Sequence, residues 1–167
     1  MGAGLISDPR IAAVCFTGST GTARAINQAM ARAANPDAVL IAESGGLNAM
    51  LVDSTALAEQ AIRDVLVSAF QSAGQRCSAL RLLYLQEDIE SRFLDMLFGA
   101  IDDVSLGDPW ALATDIGPVI DRESQQNIEA YCQEMEDQGR LLKKLDRTGS
   151  GFSVPPAVYR IKGIEAL

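Results

Sequence analysis

Three cysteines, Cys15, Cys77 and Cys132, and no histidine bound the chemistry open to this 167-residue chain. Without histidine there is no Ser-His-Asp or Cys-His relay, no His-ligated zinc and no imidazole proton shuttle. A general base must then be a carboxylate, a lysine, a tyrosine or a cysteine. Cys77 lies in Gln75-Arg76-Cys77-Ser78, a polar break between an amphipathic stretch and a strand-like run. Arg76 supplies positive charge beside it, and a nucleophilic cysteine acts as the thiolate. Cys15 and Cys132 fall inside an apolar run and a helical stripe, where cysteine behaves as a small buried hydrophobe; that bland role is the alternative for Cys77 as well.

Two further segments carry candidate chemistry. Phe16-Thr17-Gly18-Ser19-Thr20-Gly21 stands between a strand-like run and a helix-like one. Free N–H groups at a helix start favour a phosphate, and glycine lets it approach the backbone. The segment is neither the dinucleotide Gly-x-Gly-x-x-Gly nor a P-loop with its lysine, and an ordinary glycine turn is the competing reading. Glu43 follows Val39-Leu40-Ile41-Ala42 and precedes Ser44-Gly45-Gly46. A carboxylate at the carboxyl end of a parallel strand stands where α/β sheets place ligands; the alternative is a solvated turn glutamate.

The elements that must hold these residues follow from periodicity. A buried strand over 11–16, an alanine-rich helix from Thr22 to Ala34 stopped by Asn35-Pro36, and a strand over 39–42 make a βαβ unit, which implies a parallel sheet. A short strand follows over 49–52. A helix capped by Asp53 or Ser54 then runs to about Ser72 and breaks over 72–77. A strand from Leu80 to Leu85 and an amphipathic helix from Glu87 to about Val104 come next. A Pro/Gly loop over 107–119 leads to a helix over 121–138 packed through Ile128, Tyr131, Cys132 and Met135. A strand over 141–145, an exposed turn over 147–156 and a last strand over 157–161 complete the pattern.

The composition, 48% hydrophobic and 22% charged, is that of a folded chain. No apolar run reaches the roughly 18 residues of a membrane span, so no membrane partner is expected. The net charge of −8 argues against a nucleic-acid face. The cysteines are odd in number with no Cys-x-x-Cys, so free thiols in a reducing, cytoplasmic setting and no metal site are expected. The first strand lies close to residue 1 and the chain stops at Glu165-Ala166-Leu167 without a closing element, which suggests a piece of a longer protein.

Taken together, Phe-Thr-Gly-Ser at 16–19, Glu-Ser-Gly-Gly at 43–46 and Gly-Gln-Arg-Cys at 74–77 resemble, in order and spacing, the aldehyde dehydrogenase superfamily. Residues 41–50, 69–81 and 114–121 are similar to the glutamate γ-semialdehyde (1-pyrroline-5-carboxylate) dehydrogenase part of the bifunctional bacterial proline-utilization family. The resemblance implies an α/β piece of an aldehyde dehydrogenase fold with a largely parallel sheet. Residues 1–46 would be the C-terminal part of the NAD-binding domain, and 47–167 the N-terminal part of the catalytic domain.

It further implies Cys77 as nucleophile and Glu43 as the base that activates water. Thr17, Gly18, Ser19, Gly21 and Ser44 would lie on NAD, and Ser78 would help select a small polar aldehyde. The Cys77 backbone N–H would stabilise the oxyanion together with an asparagine from before residue 1. A ribose-binding lysine would also precede residue 1, and a Glu-Phe-Gly-Pro motif and a substrate-anchoring loop would follow residue 167. The isolated chain is therefore expected to be inactive and the parent to be a homo-oligomer. FAD would belong only to a separate proline dehydrogenase part, which nothing here resembles. Two rivals remain at this point. One is a relative that passes the acyl group to coenzyme A, against which Glu43 speaks, because a thiol acceptor needs no activated water. The other is a non-catalytic fragment or interaction module.

Overall fold

β-Branched and alanine-rich runs alternate along the chain, and the computed structural model, which describes residues 2–32, 37–146 and 151–163, turns them into strands and helices in that order. The chain divides into two compact units, the first ending at Gly46 and the second beginning at Leu47.

In the first unit a short helix α1 (Gly2–Ile6) precedes β1 (Ala13–Gly18), α2 (Thr20–Arg32) and β2 (Val39–Ser44). The two strands pair in parallel, in register from Ala13↔Val39 to Gly18↔Ser44, as the βαβ reading requires. α2 is amphipathic and buries Ile26 and Met30, four residues apart on one face. The expected stop at Asn35-Pro36 lies outside the described residues. α1 rests on α2 and is not foreseen, because Gly-Ala-Gly has poor helix propensity. β1 extends two residues beyond the expected strand, so Thr17 and Gly18 are strand residues rather than turn residues. Cys15 is exposed rather than buried. Side chains alternate across a strand: Val14, Phe16 and Leu40 are half-buried, while Cys15, Val39 and Ile41 lie on the other face.

The second unit opens with β3 (Asn48–Val52) and α3 (Ala58–Phe70), followed by a 3₁₀ turn (Gln71–Gly74) and β4 (Leu80–Leu85). β3 and β4 are parallel, with an irregularity between Asn48 and Ala49. A 3₁₀ turn (Glu87–Ile89) leads into α4 (Glu90–Asp102), which stops short of Val104. Val52 and Leu80 from the strands, Ile62 and Val65 from α3, and Phe93, Leu97 and Ile101 from α4 form one buried cluster, the core that fixes this unit. α3 starts at Ala58 rather than at Asp53 or Ser54. Asp53 instead accepts from the Thr55 N–H at 2.9 Å and hydroxyl at 2.6 Å, a local turn that competes with the helix start.

α5 (Arg122–Asp137) is capped as expected: the Asp121 carboxylate accepts from the Ser124 N–H at 2.8 Å. Met135 is buried on it, but Tyr131 is exposed. β5 (Leu141–Lys144) pairs antiparallel with β6 (Ala157–Tyr159). Of the expected exposed turn, 147–150 lies outside the described residues, while Ser153 and Pro156 are buried. Gln125 on α5, itself buried, donates to the Ser153 carbonyl at 3.0 Å and draws that segment inward. Among the described residues no helix is long and apolar enough to cross a membrane.

Candidate active site

In the first unit the parallel register of β1 and β2 sets Thr17 opposite Glu43 and Gly18 opposite Ser44. The two motifs, 26 residues apart, therefore meet at the carboxyl ends of adjacent parallel strands, the edge where α/β sheets bind ligands. Ser19 ends this edge as the cap of α2. Its Oγ accepts from the Thr22 N–H at 3.2 Å and its hydroxyl donates to Thr22 Oγ1 at 2.9 Å. Its carbonyl takes the Ala23 N–H at 3.0 Å. That leaves the Thr20 and Gly21 N–H groups without an acceptor among the described residues, pointing out of the helix start.

The glycines of this edge have different reasons. A Cβ at Gly18 would meet the Phe16 ring at 2.5 Å, whereas one at Gly45 would meet nothing within 4 Å. Glu43 is exposed and Ser44 half-buried. Open glycine backbone and two N–H groups left free among the described residues at a helix start suit an anionic ligand that needs close backbone approach.

The second unit holds Cys77 and Ser78, both exposed, in a turn between α3 and β4. Ser72 and Ala73 take positive φ, 58° and 52°, so the chain leaves α3 through an unusual left-handed pair. Gly74 follows with φ +66°, and a Cβ there would sit 2.7 Å from the Ala69 carbonyl oxygen and 2.8 Å from Arg81 Nη1. Only glycine fits. Side chains then brace the turn from several sides. Arg76 donates to the Val67 and Ser68 carbonyls at 2.8 and 3.2 Å, so its charge closes the end of α3. Arg81 donates to the Gly74 carbonyl. Gln75 donates to the Ser72 carbonyl at 3.0 Å and accepts from the Ile120 N–H at 2.8 Å, which ties in the loop before α5. Asn48 donates to the Cys77 and Ala79 carbonyls at 2.7 and 3.0 Å.

The candidate residues thus fall into two sets. The structure brings Thr17, Gly18, Ser19 and Gly21 together with Glu43 and Ser44, and it sets Cys77 beside Ser78 in the other unit. Sequence reasoning missed Asn48, Gln75 and Arg81 as supports. The available signal was a polar residue opening an apolar strand and two more flanking the cysteine.

Electrostatic perturbation lies around this frame. The Ser105 N–H and hydroxyl hold the Asp115 carboxyl below its ordinary range, and the Ser124 N–H and hydroxyl do the same for Asp121. Burial, reinforced by Cys132 and Glu136, pushes the Tyr159 phenol up. A cavity of about 970 Å³ in the second unit is bordered by Arg81, Cys132 and Tyr159 but not by Cys77. Among the described residues no group of three or more His, Cys, Asp or Glu is placed to hold a metal.

Comparison with known proteins gives this arrangement a context. The chain is 46% identical over 178 residues to the bifunctional protein PutA of Klebsiella aerogenes, covering all of this chain and 14% of that protein. A solved structure of Bradyrhizobium japonicum proline utilization A, in a mutant form, matches with a TM-score of 0.90 at 46% identity, over 99% of this chain and 17% of that one. The structure of a Thermus 1-pyrroline-5-carboxylate dehydrogenase with bound NAD matches with a TM-score of 0.83 at 30% identity, over 95% of this chain and 31% of that one. The chain therefore spans about one-seventh to one-third of the length of these proteins. The family model for aldehyde dehydrogenases matches residues 1–161, so this chain, whose fold is part of theirs, belongs to the aldehyde dehydrogenase family.

Proposed function

We propose that this chain contributes the nucleophile, the general base and part of the cofactor site to an NAD-dependent dehydrogenase of proline catabolism, which oxidises glutamate γ-semialdehyde (1-pyrroline-5-carboxylate) to glutamate. The observation that carries the reading is the likeness, along nearly the whole chain, to proline utilization A and to 1-pyrroline-5-carboxylate dehydrogenase. In this reading residues 1–46 are part of the NAD-binding domain and 47–167 part of the catalytic domain. The parent is a homo-oligomer, and the free cysteines fit a cytoplasmic enzyme.

The strand-end residues fit a dinucleotide. The unpartnered Thr20 and Gly21 N–H groups suit a pyrophosphate, and the Cβ-free Gly18 and Gly21 allow its approach. Thr17, Ser19 and Ser44 line the same edge. NAD, when bound, supplies the hydride acceptor. Cys77 as thiolate adds to the aldehyde carbon, and the resulting oxyanion takes a hydrogen bond from the Cys77 N–H. Departure of the hydride leaves a thioester on Cys77. Glu43 takes a proton from water as its oxygen attacks the thioester carbon, and the Cys77 thiolate leaves. In this reading Ser78, which is exposed next to the nucleophile in sequence, favours a polar aldehyde.

The test is NADH formation from glutamate γ-semialdehyde by the intact enzyme. Wild type is expected to turn over and Cys77→Ala to form no NADH above background. Turnover by Cys77→Ala would overturn the assignment.

A further inference from the structure

Asn48 opens β3, and its side chain crosses to a turn 29 residues away in sequence. Both carboxamide protons are engaged, one by the Cys77 carbonyl at 2.7 Å and one by the Ala79 carbonyl at 3.0 Å. The turn itself is closed by the Ala79 N–H donating to the Arg76 carbonyl at 3.1 Å. Its central residues, Cys77 and Ser78, both have negative φ, which makes it a type I turn. Among the described residues neither central N–H has an acceptor. No described peptide bond is cis, so the Cys77 carbonyl and the Ser78 N–H point in opposite directions. By holding the carbonyl, Asn48 fixes the plane of the peptide that follows Cys77 and turns the Ser78 N–H away from β3. Gln75, Arg76 and Arg81 brace the chain before the thiol or outside the turn. Among the described residues, only Asn48 holds the backbone of Cys77 itself by a side chain.

We propose that Asn48 is a positioning residue for Cys77: its two hydrogen bonds lock the Cys77–Ser78 peptide and present the free amides of the turn in one orientation. This rests on the reading of Cys77 as the nucleophile. It extends that reading by naming what keeps the nucleophile's backbone in place and by making the Ser78 N–H a further main-chain donor beside it.

The experiment is timed iodoacetamide labelling of the full chain near neutral pH, with each cysteine read by peptide mass spectrometry. An unstructured peptide, Gly-Gln-Arg-Cys-Ser-Ala, is the reference. Wild-type Cys77 is expected to react about tenfold faster than the peptide, and Asn48→Ala and Asn48→Asp to fall to within about twofold of it. Half-buried Cys132 should keep its wild-type rate in both variants, which reports that the second unit, where Asn48 and Cys77 lie, remains folded. Aspartate fills the same volume but, ionised, donates nothing. A space-filling role would therefore leave Asn48→Asp at the wild-type rate.

A fast wild type with equally fast variants overturns this inference alone. A wild-type Cys77 no faster than the peptide overturns the nucleophile reading and this inference with it. Should the variants fail to fold, the wild type decides by NMR. Both Asn48 side-chain amide protons are expected to exchange about tenfold more slowly than those of exposed Asn27 and Asn127, and equal exchange overturns the inference.

Discussion

The strand ends of the first unit and the cysteine turn of the second are both glycine-bearing breaks after an apolar element, yet they are held in opposite ways. At the strand ends, among the described residues, the polar side chains serve only the helix cap: Ser19 meets Thr22, Glu43 stands exposed, and a Cβ at Gly45 would touch nothing within 4 Å. At the cysteine turn Asn48, Gln75, Arg76 and Arg81 all donate to backbone carbonyls, and a Cβ at Gly74 has no room. The contrast matches the two roles proposed above. An edge that must admit a ligand keeps its backbone N–H groups free and its surroundings open. A turn that must hold one reactive atom in place has its carbonyls tied down by side chains from other elements.

Alanine at the two glycines should affect the two segments most differently. Gly74→Ala forces a Cβ against a backbone oxygen at positive φ and is expected to destabilise the second unit by about 2–4 kcal/mol. Gly45→Ala, in open space and without a positive φ, is expected to stay within about 0.5 kcal/mol. Hydrogen exchange of the core amides of Phe93, Leu97 and Ile101 reads the second unit, and those of Ile26 and Met30 read the first. Equal losses at the two positions would contradict the contrast.

A smaller effect concerns acid stability. Asp115 and Asp121, both in the second unit, titrate below the 3.8 of a free carboxyl because serine N–H and hydroxyl groups donate to their charged forms. The folded state thus binds fewer protons than the unfolded one in that window. The contribution to stability is complete above about pH 4 and declines as the pH falls through the lower, folded values. Asp121→Asn keeps an oxygen at the α5 cap but removes the titration. The second unit should then lose stability less steeply between about pH 4 and pH 2 than wild type does. Exchange-derived stability measured across that range checks it; an unchanged slope would contradict the role given to Asp121.

Much of the frame was legible in the residues. β4 has the bounds its Leu/Tyr run predicts, the parallel pairing of β1 with β2 follows from strand-helix-strand spacing, and Asp121 caps α5 as its position implies. These features rest on local pattern, which a sequence displays directly. What was not legible depends on groups distant in sequence. Nothing local announces that Ser72 and Ala73 adopt positive φ just before Gly74, whose carbonyl is held by Arg81 from the next strand. Asn48 looks like the first residue of a strand until its carboxamide is seen on Cys77. Cys15 reads as buried from its neighbours, but one face of a two-stranded sheet leaves it exposed. The segment before β6 is polar enough to read as surface, and the buried Gln125 that draws it inward lies 28 residues from its partner.

The proposed function divides the labour between two residues, Cys77 to make the thioester and Glu43 to clear it. Stopped-flow NADH absorbance on the intact enzyme with glutamate γ-semialdehyde, followed by intact-mass analysis of the quenched protein, separates the two roles. Cys77→Ala should give neither a first turnover nor a steady state. Glu43→Gln should give a burst of about one NADH per active site, then a steady rate ~10²–10⁴-fold below wild type, with the acyl adduct on Cys77. A Glu43→Gln enzyme that loses the burst as completely as Cys77→Ala would place the carboxylate before hydride transfer and overturn that division of labour, and one that loses nothing would return Glu43 to a solvated residue at a strand end.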